Sequence, residues 1–383
     1  MAWLALIIPV IAMIVLRIFF SKQMTLWEFF IPLGVGLMLI FTVKTISENL
    51  SVTDTEYWGG WVEKAVYYEP WDERVSCTHA KYRTETYDCG DSKTPRTCTR
   101  EVFDGYEHMY DVSYHPEHWK VVDSNNETWN IKKSTYDYFS ALYESNSFVE
   151  LNRSYHSIDG DSYEATWNGD WDTLSPTTKK HSYVNKVANS TSVYEFRYID
   201  KNKTDVFDYP NDEGFNTQSV LSSSHWSNSN EIDKINASLG AKKKIRVWIL
   251  IWEGKTDRQV AFDQEAYWKG GNKNELVICI NVNSKSDPTV NWCHVFSWSD
   301  SEELKTSIKS FISIDNNKLD MIKLSEFLKP EIEAKWVKKN WHEFDYLEVQ
   351  TPAWALVLIW ALVLASTIGT SLWCIMNGIE IED

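Results

Sequence analysis

Three long apolar runs, two at the start of the chain and one at its end, constrain the fold more than any other feature of the sequence. Trp3–Phe20 and Trp27–Ile46 are separated by the short polar turn Ser21–Thr25, and Pro352–Met376 lies near the C-terminus. At ~1.5 Å of helical rise per residue, about 20 apolar residues cross the ~30 Å hydrocarbon layer of a bilayer. The first two runs therefore read as a transmembrane hairpin and the third as a transmembrane helix, so the central residues are pinned to one face of a lipid bilayer at both ends. Thr25 and Glu28 stand at capping-box spacing at the start of the second run. Pro32 falls near that start, where proline is tolerated, and Thr351 and Pro352 suit the N-cap and first position of the third helix. The first run has neither the basic flank nor the small-residue cleavage site of a secretory leader.

Arg17 and Lys22 flank the turn of the hairpin, and basic short loops stay cytoplasmic. This predicts an N-terminus and a central body outside the cytoplasm and a C-terminus inside it, although Lys44, Lys335, Lys338 and Lys339 near the other face pull the opposite way. Cysteine usage and N-x-S/T sequons at Asn49, Asn126, Asn152, Asn189, Asn202 and Asn236 favour the outside body.

The net charge of −16 and pI near 5.1 remove the basic face that a nucleic-acid binder needs. Mean hydropathy is −0.37 despite three apolar runs, so the middle is strongly polar. With 20 Trp and 19 Tyr in the chain, that middle is not disordered, because disordered segments lack aromatic residues. Aromatics at this density fill a core, line a sugar-binding groove or build a protein interface, and core filling is the simplest of the three.

The chain reads as an α+β membrane protein. A transmembrane hairpin (1–48) is followed by a β-rich ectodomain module (52–210), a Ser/Asn-rich linker (211–242) and an α/β sandwich module (243–315). A helical connection (316–350), the C-terminal transmembrane helix (351–377) and an acidic tail (378–383) complete it. In the first module, Glu56–Tyr68 reads as a strand with a bulge at Gly59-Gly60. Trp71–Arg100 reads as polar and turn-prone, Val102–Val122 as strand, Ser134–Tyr143 as helix and Tyr183–Tyr198 as a strand pair. In the second, Ile245–Trp252 is nearly unbroken apolar sequence, as in a strand buried on both faces. A helix at Thr256–Trp268 and strands at Leu276–Val282 and Thr289–Ser297 follow. A further helix, with Ser299 and Glu302 at capping-box spacing, carries the stripe Leu304, Ile308, Phe311 and Ile312. Pro330 is expected to divide the last connection into two helices.

Six cysteines are present, none at C-x-x-C spacing, so zinc-ribbon and thioredoxin-type readings are weak. Folding the hairpin 276–297 about Ser286 sets Cys279 opposite Cys293, a pair that is either disulfide-bonded or two buried thiols. Cys77, Cys89 and Cys98 cluster in the first module and are further disulfide candidates, while Cys374 lies in the third span.

Trp268-Lys269-Gly270-Gly271-Asn272-Lys273-Asn274-Glu275 followed by Leu-Val-Ile-Cys-Ile resembles TPM-type extracytoplasmic domains, over roughly residues 243–315. The resemblance implies a membrane-tethered module that binds metal or partner proteins, in some members with phosphatase activity. The whole chain is similar to membrane-anchored proteins of phages and bacteria, which implies no particular chemistry.

Several polar groups are weighed as sites. His115-Pro116-Glu117-His118 brings two imidazoles and a carboxylate together, and zinc would need a third ligand such as His79 or His108. A strand-end turn with exposed histidines is the stronger reading. Asp159, Asp161 and Glu164 flank a glycine and have the oxygen chemistry for a divalent cation such as calcium, without EF-hand spacing, so an ordinary Asp-Gly turn is preferred. Asp257, Asp263 and Glu265 sit on or near the TPM-like helix, as a cleft-facing set or a solvated face. No G-x-S-x-G, Walker, H-E-x-x-H or dinucleotide motif is present. The expectation is a membrane-anchored ectodomain that binds and assembles as a homo-oligomer on the bilayer. The alternatives are a TPM-like metal-dependent hydrolase and a surface module that binds glycans or other surface proteins.

Overall fold

Helix α1 (Ile7–Phe19) and helix α2 (Leu26–Val52) pack with the C-terminal helix, and α2 runs without a loop into β1 (Thr53–Tyr68), the longest strand among the described residues. The join is tied by its own hydrogen bonds: Thr53 Oγ1 donates to the Asn49 carbonyl at 2.8 Å, and Asn185 N donates to the Val52 carbonyl at 2.6 Å. The computed structural model describes residues 1–19, 26–88, 97–152, 157–187, 190, 196–215 and 217–376. It is a mixed α+β protein with apolar helices at both chain ends and a sheet-rich middle.

Among the described residues, three helices are long and apolar enough to cross a membrane: Ala2–Phe19, Phe30–Val52 and Ala353–Met376. They meet along a seam of Ala2, Ala5, Ile40, Ile359 and Val363, while Ile14, Phe41, Val357 and Ile368 face outward. A helix that is apolar all round needs lipid or protein on every side. At the body end of the bundle, Thr351 Oγ1 donates to Glu48 Oε1 at 2.6 Å, and Lys44 Nζ lies 2.7 Å from Glu48 Oε2. Thr351 thus ties the C-terminal helix to α2. Thr25 lies outside the described residues.

The chain after β1 forms, in order, β2 (Trp71–Ser76), β3 (Ala80–Asp88), β4 (Thr97–Tyr106), β5 (Tyr110–His115), β6 (His118–Asp123) and β7 (Thr128–Ile131). Helix α3 (Lys133–Tyr143), β8 (Ser147–Val149), β9 (Ser162–Thr166) and β10 (Pro176–Val184) complete the first module. The central sheet runs β7-β6-β1-β9-β8, and β10 pairs antiparallel with the first half of β1. Tyr136, Phe139 and Tyr143 of α3 pack on Val62, Ala65, Val121 and Ala165, and Tyr143 Oη donates to the Val62 carbonyl at 3.0 Å. The register slip in β1 lies between Val62 and Lys64, whereas Gly59 and Gly60 pair regularly with Thr178 and Thr177.

Those glycines serve a different purpose. A Cβ on Gly59 would stand 2.0 Å from the Asn236 carbonyl oxygen, so helix α4 (Asn230–Leu239) can lie on β1 only because the side chain is missing. The stretch expected to be a linker is therefore structured. It carries β11 (Val220–Ser222) as well as α4, and buries Asp212, Ser219, Ile232, Ile235 and Asn236. Asn236 accepts from Val247 N at 2.7 Å and donates to Ser219 Oγ at 2.8 Å and to the Val247 carbonyl at 2.9 Å. A fully buried, fully bonded amide is no glycan acceptor in the folded chain.

The second sheet has the order β11-β12-β13-β14, with β12 (Arg246–Glu253) and β13 (Glu275–Val282) parallel and β14 (Val290–Phe296) antiparallel. Side chains of β12 alternate between faces, as the strand period of two requires. Val247, Ile249 and Ile251 meet α4, α6 (Glu302–Ile314) and α7 (Met321–Lys335), while Trp248, Leu250 and Trp252 meet α5 (Gln259–Tyr267) and Phe207. Each such side chain, fully buried, contributes roughly 1.5–3 kcal/mol. Ser301, not Ser299, precedes α6, and its stripe buries Leu304, Ile308 and Ile312. Pro330 lies inside the single helix α7. The C-terminal helix is α8 (Ala353–Met376).

The cysteine pair expected on the β13–β14 hairpin does not form. Val282 pairs with Val290 but Asn281 pairs with Trp292, so Asn291 is an extra residue and the register beyond it shifts by one. A one-residue slip turns side chains to the opposite face. Cys279 lies opposite His294 and packs with Trp248, whereas Cys293 lies opposite Ile280 and packs with Ile308, and both are free thiols. Cys77 is also a free thiol, Cys98 is disulfide-bonded, and Cys89 lies outside the described residues.

Candidate metal centre

The sequence between β1 and β6, expected to be partly turn-prone, is instead a two-stranded ribbon that leaves the central sheet at Tyr68 and His118. Its lower half is β2 paired with β5, and its upper half is β3 paired with β4. Alternating Thr, Tyr and charged residues favour these strands. Tyr82 meets Phe103 edge-on, Thr86 faces Thr99, and Arg100 reaches Glu85 at 3.2 Å. The ribbon has almost no core. Cys77 and Glu73 are its buried residues among those described, while Tyr82, Phe103, Tyr106, Met109 and Tyr114 are exposed. Two-stranded ribbons are at best marginally stable alone in water.

The ladder breaks between the pairs Ser76–Tyr110 and Ala80–Tyr106. The three residues left over on each strand, 77–79 and 107–109, face one another and are joined by Glu107 N donating to the His79 carbonyl at 3.0 Å. Four donor side chains converge at this break: Cys77, His79, His108 and Asp111, with one donor atom from each lying within 4.8 Å of all the others. Cys77 Sγ is 3.8 Å from His79 Nδ1, which is 3.5 Å from Asp111 Oδ1, and His108 Nε2 bonds the same carboxylate oxygen. Cys77 is buried beneath the more exposed imidazoles. Backbone amides orient the set: His79 N donates to Cys77 Sγ at 3.3 Å, and the Thr78 backbone bonds the Asp111 carboxylate. The hydrogen bond from His108 holds that carboxyl below its ordinary range.

The histidine motif read from the sequence does not converge. His115 Nε2 lies 2.8 Å from Glu73 Oε2, and His118 Nε2 lies 2.7 Å from Asp159 Oδ1, where Lys120 also donates at 2.7 Å. Each carboxylate expected to bind a cation has its own partner. Asp161 accepts from Leu151 N at 2.7 Å, and Glu164 pairs with Lys64 at 2.6 Å. Asp257 accepts from Gln259 N at the start of α5, Asp263 pairs with Arg197, and Glu265 faces His294 at 2.9 Å.

The loop that carries the TPM resemblance lines a cavity of about 500 Å³ together with the end of α2 and the start of β1. Lys269, Gly270 and Gly271 all take positive φ there, a conformation that two glycines make accessible. Beneath it, the buried Glu275 carboxylate accepts from Asn272 N at 2.7 Å, from Trp248 Nε1 at 3.0 Å and from Tyr209 Oη. Burial raises its pKa. The network is internally bonded, which suits a structural floor to the cavity.

Sequence reasoning named His79 and His108 only as distant additions to the other histidine pair. The available signal was C-x-H on one strand and H-x-x-D on the next, which converge only once the ribbon register is known. Among the described residues, the exposed tryptophans are Trp3, Trp354, Trp360 and Trp373, all on the apolar helices, and those of the body are buried or half-buried. No protein-family model matches the chain, and neither a curated protein nor a solved structure matches it.

Proposed function

We propose that the chain is a three-span membrane protein whose extracytoplasmic body works by binding, with further copies of itself in the same bilayer as the first partner. The observation that carries this reading is the ribbon. It spans roughly 60 Å if straight, at ~3.3 Å per residue, leaves its strand edges unpaired among the described residues and exposes Tyr82, Phe103, Tyr106 and Tyr114. Unpaired edges and exposed aromatics recruit other chains. Anchoring at both ends confines copies to a plane and raises their effective concentration. Detergent-extracted protein should have a mass well above that of one 44.7 kDa chain, and the triple variant Tyr82→Ser, Phe103→Ser, Tyr106→Ser should revert to single chains. A monodisperse monomer at high concentration would overturn the reading. The outward orientation is tested separately with an impermeant amine reagent on sealed cells. It should label the body and spare the hairpin turn near Lys22.

The cavity beside the Trp268–Asn272 loop supports a second reading, a TPM-like metal-dependent hydrolase. Phosphatase turnover that needs a divalent cation and is lost in the double variant Asp257→Asn, Asp263→Asn would favour it. Absence of turnover across phosphoester substrates would end it.

A further inference from the structure

We propose that Cys77, His79, His108 and Asp111 bind one zinc ion, which fastens the two halves of the ribbon where its ladder is broken. The donor set is one thiol, two imidazoles and one carboxylate, the chemistry that zinc takes in four-coordinate sites. Tetrahedral bonds of ~2.0–2.3 Å place donor atoms roughly 3.3–3.8 Å apart. The Cys77–His79 and His79–Asp111 separations of 3.8 and 3.5 Å already lie in or next to that range. All four donor atoms lie within 4.8 Å of one another.

Two further observations point the same way. The amide of His79 on Cys77 Sγ and the Thr78 backbone on Asp111 are the outer hydrogen bonds that fix ligand orientation around a metal. The ribbon also contributes no residue to any hydrophobic cluster formed by the described residues. A small element without a core is held by a disulfide or a metal; the disulfide at Cys98 serves the upper half of the ribbon, and the four donors stand apart from it at the break in the ladder. As the ion enters, the Cys77 thiol proton and any proton on the coordinating imidazole nitrogens leave to solvent, and no bond is broken in the protein. Four protein ligands close the coordination sphere, so the ion holds structure and leaves no position for a reacting water. This role stands whether or not the ribbon contacts another copy.

The test uses the full chain in detergent, expressed with zinc in the medium and dialysed against metal-free buffer. Elemental analysis should give one zinc per chain, falling at least fivefold in Cys77→Ser and in His108→Ala. Cobalt added to the stripped protein should produce a thiolate-to-cobalt charge-transfer band that Cys77→Ser abolishes. Asp111→Asn, which preserves shape, should weaken zinc retention while leaving the circular dichroism spectrum unchanged. Stripping the metal should speed proteolytic cutting within 71–115 and leave the α/β module intact. Absence of both stoichiometric zinc and the cobalt–thiolate band overturns the proposal. So does zinc content that is unchanged in both Cys77→Ser and His108→Ala.

Discussion

A Cβ on Gly240 would stand 2.4 Å from the backbone nitrogen of Gly59, so strand β1 and the turn that ends α4 meet backbone to backbone. That contact welds the antiparallel module to the α/β module. Gly59→Ala would meet the Asn236 carbonyl oxygen at 2.0 Å, an atom fixed inside α4. Overpacking of this kind costs about 1–3 kcal/mol or more. We expect Gly59→Ala and Gly240→Ala to lower the melting temperature of the body sharply, while Gly34→Ala, with nothing within 4 Å, leaves it unchanged. Thermal unfolding of the detergent-solubilised chain checks this.

Burial pushes the Cys293 thiol up to about 12 and raises that of Cys279 as well. Thiolate is the reactive form, so neither residue should be alkylated in the folded protein at pH 8. Both should react fully, and without prior reduction, once the chain is unfolded. Mass spectrometry of iodoacetamide adducts decides it, and a 279–293 disulfide peptide would refute the shifted register.

Asp233 is buried, accepts from Ser219 N at 2.8 Å, and is pushed up to about 6 by its burial. Its folded pKa lies above the unfolded value of about 4. Its contribution to stability is therefore full below pH 4 and declines as pH rises through 6. At ~1.4 kcal/mol per unit, the decline reaches about 3 kcal/mol. Asp233→Asn retains an oxygen for Ser219 and cannot ionise. Relative to the parent, the variant should gain stability from pH 4 to pH 6 and level off above that. A stability difference independent of pH would disprove the assignment.

Glu48 joins the start of the C-terminal helix to α2 through Thr351. A hydrogen bond to a charged acceptor contributes about 1.5–3 kcal/mol. Thr351→Val should loosen the three-helix bundle and lower its resistance to denaturing detergent. Glu48→Gln, which keeps an acceptor for Thr351 but loses the Lys44 pair, should have a smaller effect.

The elements legible in the sequence were those with a strong local apolar signal, continuous or periodic. The terminal apolar runs and β12, an almost unbroken apolar stretch, follow from hydrophobic content, and α6 with Leu304, Ile308 and Ile312 follows from helical spacing. What escaped depends on pairing between distant residues. Asn291 is one extra residue in a hairpin, invisible to pattern yet enough to send Cys279 and Cys293 to opposite faces. Ser and Asn around 219–236 look like linker composition, but Ser219 and Asn236 are buried partners of one another and of β12. The Cys77–Asp111 set was hidden for the same reason, since its two halves lie about thirty residues apart in the chain and meet only through the strand register.

The unbroken passage from α2 into β1 makes helix and sheet a single lever. With Thr53 bonded back to Asn49 and Asn185 bonded to Val52, no hinge separates them. A strand of 16 residues spans roughly 50 Å. A tilt of about 10° in the helix would then swing the far end of β1 by roughly 9 Å at that length. Repacking of α2 against α1 and α8 would thus be carried along β1 to Tyr68, where the ribbon begins.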